Sequence, residues 1–142
     1  MLRTIHVTKI FKYLSILLFL TALIFPCFDT TAEEGEEGEG AAILLSGFFG
    51  FFSSAVGWSW LANPALWVSW GYFTKKPRQS FLASAIAVLF ALSFLFFKSI
   101  MINEVGGTST IIKYRIGYWL WLGSSLVMLI GNTYLKYRNN RE

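Results

Sequence analysis

The side chains that could do acid–base, nucleophilic or metal chemistry are few in this chain, and their spacing suits none of it. One histidine, His6, and one cysteine, Cys27, both lie near the N-terminus. They lack the partners that a histidine–cysteine metal site, a catalytic triad or an internal disulfide needs. Cys27 reads as a small apolar residue closing a hydrophobic run. Pro26 before it is a poor lipoprotein signal, which takes a small residue there.

Acids gather in one place, at Asp29, Glu33, Glu34, Glu36, Glu37 and Glu39, interleaved with Gly35, Gly38 and Gly40. Calcium binding needs oxygen ligands held in a cage, and EF-hand spacing is missing here. Mutual repulsion and glycine make 29–40 a solvated acidic loop. No glycine loop ending in Lys-Ser or Lys-Thr cradles a phosphate, and no hydrolase motif occurs. The expectation is a non-enzymatic protein with no cofactor and no metal.

Transporters and pumps place ionisable groups inside their spans. Only Lys98 comes near such a position, and it falls toward a run's end, where its stem can reach the interface. The polar groups within the apolar runs are uncharged: Ser54, Ser59, Asn63, Ser69, Ser84, Ser93, Ser124, Ser125, Asn132 and Thr133. Serine and threonine serve helix packing. Each asparagine is expected to have a partner, and Asn63-Pro64 marks a break in a helix, with Asn63 as its cap.

The elements that must position these groups are long apolar blocks. Hydrophobic residues make up 55% and charged residues 14% of the 142. Soluble domains carry about 25% charged residues, so this surface is too bare to face water all round. The net charge of +4 does not indicate nucleic acid, because the basic residues cluster at the flanks of apolar runs.

Gly40–Thr74 contains no Asp, Glu, Lys, Arg or His. It is too long for one plain span, since about 20 helical residues cross a bilayer. These signals predict an all-α polytopic membrane protein forming a single integral domain over 1–142. Its four transmembrane helices fall at about 10–28, 57–75, 80–102 and 115–136. An additional interfacial or re-entrant helix at about 41–56 precedes the second span. The rival arrangement, in which 41–56 also crosses, puts Lys75, Lys76 and Arg78 outside.

Residues 1–32 also fit a cleaved signal peptide, with retention as a first span preferred. Lys and Arg flank the inner ends at Arg3, Lys9, Lys12, Lys75, Lys76, Arg78, Lys136, Arg138 and Arg141. Both termini are therefore expected in the cytoplasm. Tyr114, Tyr118, Trp119 and Trp121 read as an aromatic belt at the outer boundary.

Three stripes of small residues suit close helix packing: Ser46, Gly50, Ser53 and Gly57; Ala83, Ala87 and Ala91; Gly117, Ser124 and Gly131.

Trp60-Leu61-Ala62-Asn63-Pro64, followed by an apolar run, Lys75-Lys76 and a Gly-Tyr-Trp-Leu-Trp-Leu span, resembles a group of small bacterial multi-pass proteins sharing a Trp-x-Ala-Asn-Pro segment. The resemblance implies a bacterial inner membrane and supplies no activity and no functional residue. The expected role is a packing or interaction component whose partners are the lipid bilayer and either itself or another membrane protein. The alternative is a small transporter or channel subunit built around Asn63 and Pro64.

Overall fold

The computed structural model describes residues 2–31, 39–50, 55–101 and 107–139. Helix α1 occupies Leu2–Ala22. It ends in tightened bonds from Leu23 to the Phe19 and Leu20 carbonyls and from Ile24 to Thr21, just before Pro26, which cannot continue a helix. Strand β1 is Phe28–Thr30 and helix α2 is Gly40–Gly50. A 3-10 helix over Ala55–Leu61 passes directly into α3, Ala62–Tyr72. Helix α4 spans Pro77–Ser93 and runs on as a 3-10 turn, Phe94–Phe96. Strands β2 (Ser99–Met101) and β3 (Thr108–Tyr114) precede α5, Ile116–Asn139.

Local chemistry explains the breaks. Pro77 stands in the first turn of α4, where its missing N–H costs nothing and its fixed φ favours the helix. Pro64 is likewise within the first turn of α3. The helix start falls at Leu61, with no side-chain cap. Asn63 is therefore inside the helix and does not cap it.

The all-α expectation is overturned by a three-stranded antiparallel sheet, ordered β1-β3-β2. Phe28 faces Tyr114 and Asp29 faces Lys113, with a register shift before Thr30. Ser99 faces Thr110 in the other pair. Ser99–Met101, expected within the third span, is strand because Phe97 already turns to extended backbone. Of the acidic loop, Asp29 and Thr30 belong to β1 and Glu39 bridges to Pro26. Glu33, Glu34, Glu36 and Glu37 lie outside the described residues.

The four-span expectation is overturned as well. Among the described residues one helix is long and apolar enough to cross a membrane: Pro77–Phe96, 20 residues with a mean hydropathy of 2.0. The charge-free part of α1 begins at Tyr13 and its helix stops at Ala22, a rise of about 15 Å. The expected second span changes helix type at Leu61, leaving α3 with 11 residues, about 16 Å. In α5 the length suffices, but Ser124, Ser125, Asn132 and Thr133 dilute its apolar character. The expected helix over 41–56 is α2 and the start of the 3-10 helix, with 51–54 outside the described residues.

Helices α1 and α4 both run antiparallel to α5. Phe11 of α1 stacks near Tyr134 at 6.1 Å, while Gly117 donates its N–H to the Pro26 carbonyl at the opposite end. Tyr118 of α5 reaches Ala91 in α4, and Lys136 lies over the Phe81 ring. Lys9 and Lys12, the turn at Lys75–Arg78, and Lys136 with Arg138 thus share one end of the bundle. The sheet caps the other.

Polar side chains share the interior with apolar ones, and large apolar side chains cover much of the outside. Ser15, Ser69, Ser80, Ser84, Ser124, Ser125 and Asn132 are buried with small and medium apolar residues such as Ala87, Leu66 and Met128. Outward-facing residues include Leu17, Leu20, Leu82, Leu89, Phe49 and Ile130, with Leu89 at 67% exposed.

Candidate functional site

Two regions collect the polar groups that the apolar blocks carry. The first is a seam between α1, α3, α4 and α5. The Asn132 amide nitrogen lies 3.1 Å from Ser69 Oγ, 3.0 Å from Ser84 Oγ, 3.2 Å from the Ser80 carbonyl and 3.1 Å from the Met128 carbonyl. It has two hydrogens for these four acceptors. Ser69 and Ser80 each donate to the other's carbonyl, at 2.9 and 2.8 Å. Farther along, Trp70 Nε1 donates to Ser15 Oγ at 2.9 Å, and Ser15 donates to the Ser124 carbonyl at 2.8 Å. Asn132 Oδ1 and Ser125 Oγ are buried without a protein partner.

Glycine sets how close the helices come. A Cβ on Gly117 would stand 2.5 Å from the Phe25 carbonyl oxygen and 2.7 Å from that of Pro26. One on Gly131 would meet Phe11 Cβ at 2.6 Å.

The second region is a cavity of about 240 Å³ at the sheet end, partly open to the exterior. Its walls come from the close of α1 (Phe19, Leu23), from Cys27 and Phe28, and from α2 (Ile43, Leu44). Val56, Trp60 and Asn63 line it from the 3-10 helix and α3, and Phe94, Tyr118 and Trp121 from α4 and α5. The polar tips in these walls bond one another. Trp60 Nε1 donates to the Leu44 carbonyl at 2.8 Å, Asn63 Nδ2 to the Trp60 carbonyl at 3.0 Å, and Trp121 Nε1 to Asn63 Oδ1 at 2.8 Å. Tyr118 OH donates to the Ala91 carbonyl at 2.9 Å, and Ser59 Oγ to the Val56 carbonyl at 2.7 Å.

Helix α2 forms one wall and is held at two points. Its first amides, Gly40 and Ala41, bond the Phe25 and Leu23 carbonyls at the end of α1. Gly47 lies against the Trp60 ring, where a Cβ would come within 2.6 Å of Cδ1.

The helix-packing candidates separate in the structure. Ala83, Ala87 and Ala91 are buried along α4, and Gly117, Ser124 and Gly131 are buried along α5. The remaining stripe is divided. Ser46 is exposed and bonds the Ile43 carbonyl, Gly50 ends α2, Ser53 lies outside the described residues, and Gly57 lines the cavity. The glycine that α2 uses for contact is Gly47, which that spacing passes over.

Asn63 and Pro64 fall beside the cavity and bridge α3 to α5 through Trp121. Of the aromatic-belt residues, Trp119 is exposed, while Tyr118 is buried with its hydroxyl satisfied inside. Ser15, Ser80, Trp70 and Trp121 are the contributors that sequence reasoning missed. A lone serine has no periodic signal, and tryptophans at helix ends read equally well as interfacial anchors.

Charge contributes little at either region. Arg115 Nε and Asp29 Oδ2 pair at 2.7 Å on the sheet, partly exposed, an arrangement worth about 0–1 kcal/mol. Lys98 lies past the end of α4 and is exposed. Among the described residues no three His, Cys, Asp or Glu side chains gather to hold a metal. Burial pushes the Cys27 thiol up to about 11, away from the reactive thiolate range.

Set against known proteins, the chain matches no family model, no curated protein and no solved structure.

Proposed function

We propose that this chain is a bilayer-embedded protein without catalytic activity, working through contact with lipid and with itself or another membrane protein in a bacterial inner membrane. The observation that carries the reading is the apolar exterior around a partly polar interior. Serine and asparagine sit among the buried apolar residues between helices, while leucine, isoleucine, phenylalanine and tryptophan cover much of the outside. In water that exterior would expose about 25 cal/mol of unfavourable free energy per Å² of apolar surface. In lipid it costs nothing, and internal hydroxyls and amides hold the helices together instead.

Helix α4 is the crossing element in this reading, with the other helices packed alongside. The basic residues Lys75, Lys76 and Arg78 support a cytoplasmic position for the turn between α3 and α4. The small-residue faces of α4 and α5 are occupied within the chain, so a protein partner would meet the outer apolar surface. A transport role built on Asn63 and Pro64 has less support, because both ends of the Asn63 amide are already bonded to Trp60 and Trp121.

Alkaline carbonate washing of membranes from expressing cells tests the setting, and crosslinking in mild detergent tests the role. Retention in the pellet with a self- or hetero-crosslinked species is expected. Release into the supernatant contradicts the setting, and a strict monomer with no co-purifying partner contradicts the protein-contact role.

A further inference from the structure

Each polar side chain lining the cavity already makes a hydrogen bond within the protein. Trp60, Asn63 and Trp121 form one chain of hydrogen bonds, and Tyr118 and Ser59 each donate to a carbonyl. Burial holds the Cys27 thiol neutral. What the cavity offers an occupant is therefore aliphatic and aromatic surface. Charged or strongly hydrogen-bonding molecules would be desolvated there without compensation.

Size narrows the occupant further. An apolar cavity of about 150 Å³ takes a benzene molecule, so 240 Å³ accommodates roughly nine carbons by the same ratio. The cavity is partly open, and α2, which supplies one of its walls, exposes Leu45, Phe48 and Phe49 to the exterior. Apolar surface therefore borders the cavity on its outer side. In a bilayer, the molecules meeting that surface are lipids.

We infer that the cavity is a binding site for one acyl chain of a membrane lipid, whose distal carbons lie against α2 and the end of α1. The inference rests on the bilayer reading above. Gly47 sets the site's geometry by letting α2 close against Trp60, while the α1 carbonyls of Leu23 and Phe25 hold its other end. The entering chain replaces missing packing partners for Phe19, Leu44 and Val56, which restores dispersion contacts that an empty space forfeits.

The test uses the full chain reconstituted in phosphatidylcholine–phosphatidylglycerol vesicles that contain a phospholipid with a diazirine near the end of one acyl chain. After irradiation, adducts are mapped by peptide mass spectrometry. Adducts are expected on the cavity residues Leu44 and Val56 and on the perimeter residues Leu82 and Leu89. Filling the cavity by Val56→Trp, or from α2 by Ile43→Trp, is expected to lower cavity adducts at least fivefold and leave perimeter adducts unchanged. In native mass spectrometry from mild detergent, the unaltered chain is expected to retain one lipid. Perimeter adducts without cavity adducts, or cavity adducts indifferent to both fillings, would overturn the acyl-chain site alone. Labelling of neither set would overturn the bilayer reading with it.

Discussion

The two ends of the bundle solve opposite packing problems. At the basic end, α1, α3, α4 and α5 approach closely through glycine, alanine and serine, and polar atoms lock the contacts. At the sheet end, bulky aromatics and a separately tethered α2 leave an open volume, and the polar atoms line its walls facing one another. The same residue types, asparagine and tryptophan, serve both ends. Asn132 ties α5 to both α3 and α4 at once, whereas Asn63 ties one helix break to one neighbour. A seam of this kind supplies specificity and rigidity, while a cavity whose walls are internally satisfied supplies room for an apolar guest.

That contrast breaks most readily at Asn132. Asn132→Asp replaces the amide donor with a carboxylate oxygen against the Ser80 and Met128 carbonyls. An uncompensated buried charge costs about 3–5 kcal/mol, which denaturant titration in mild detergent should read at pH 7. Burial raises the folded-state pKa of the new carboxyl. The folded state then binds the proton more tightly, so stability should partly return as the pH falls from 7 toward 4.

Gly117→Leu is next. Its Cβ meets two main-chain oxygens that cannot rotate away, and overpacking costs about 1–3 kcal/mol, here near the upper end. Proteolysis between α1 and β1 should accelerate accordingly. Tyr118→Phe removes one buried hydrogen bond to the Ala91 carbonyl and should cost about 1 kcal/mol.

Cys27→Ala, in the cavity wall, should cost about 0.5 kcal/mol, since the thiol already borders open space. In the unaltered chain, burial holds the Cys27 thiol protonated above the ordinary thiol range. Its alkylation rate should therefore keep climbing up to about pH 11, whereas the unfolded chain levels off near pH 9. An early plateau in the folded protein would contradict the buried wall.

What was legible in the sequence is what is encoded locally. The expected third span, from about residue 80, begins close to the start of α4 at Pro77, and Asn63-Pro64 announces a discontinuity close to where the 3-10 helix becomes α3. The charge-free blocks and their basic flanks are direct consequences of composition. The sheet was not legible, because β1 finds its partner β3 about 80 residues away and its three residues follow an apolar run without a strand signal. The Thr108–Tyr114 strand falls between the expected third and fourth spans, beside Gly106-Gly107. The span count failed for a related reason. A long charge-free stretch fixes what surrounds the chain more firmly than it fixes where a helix starts and stops.

The cavity was illegible because it is a property of five elements together, and its one local clue, Gly47, fell between the periodic small residues. Asn132 was expected to have a partner. Its actual partners depend on α3 and α4 meeting α5 at one level.

The claim beneath all of this is that the leucine-rich outer face meets lipid while serine sits inside. Cysteine placed at position 89 by Leu89→Cys, in a Cys27→Ala background, tests it in native membranes. A lipid-soluble diazirine probe, whose carbene needs no thiolate, should label position 89 on irradiation, and an impermeant, water-soluble maleimide should not, while Ala87→Cys should resist both. Full labelling of the Leu89→Cys variant by the water-soluble reagent, with no detergent present, would contradict the account.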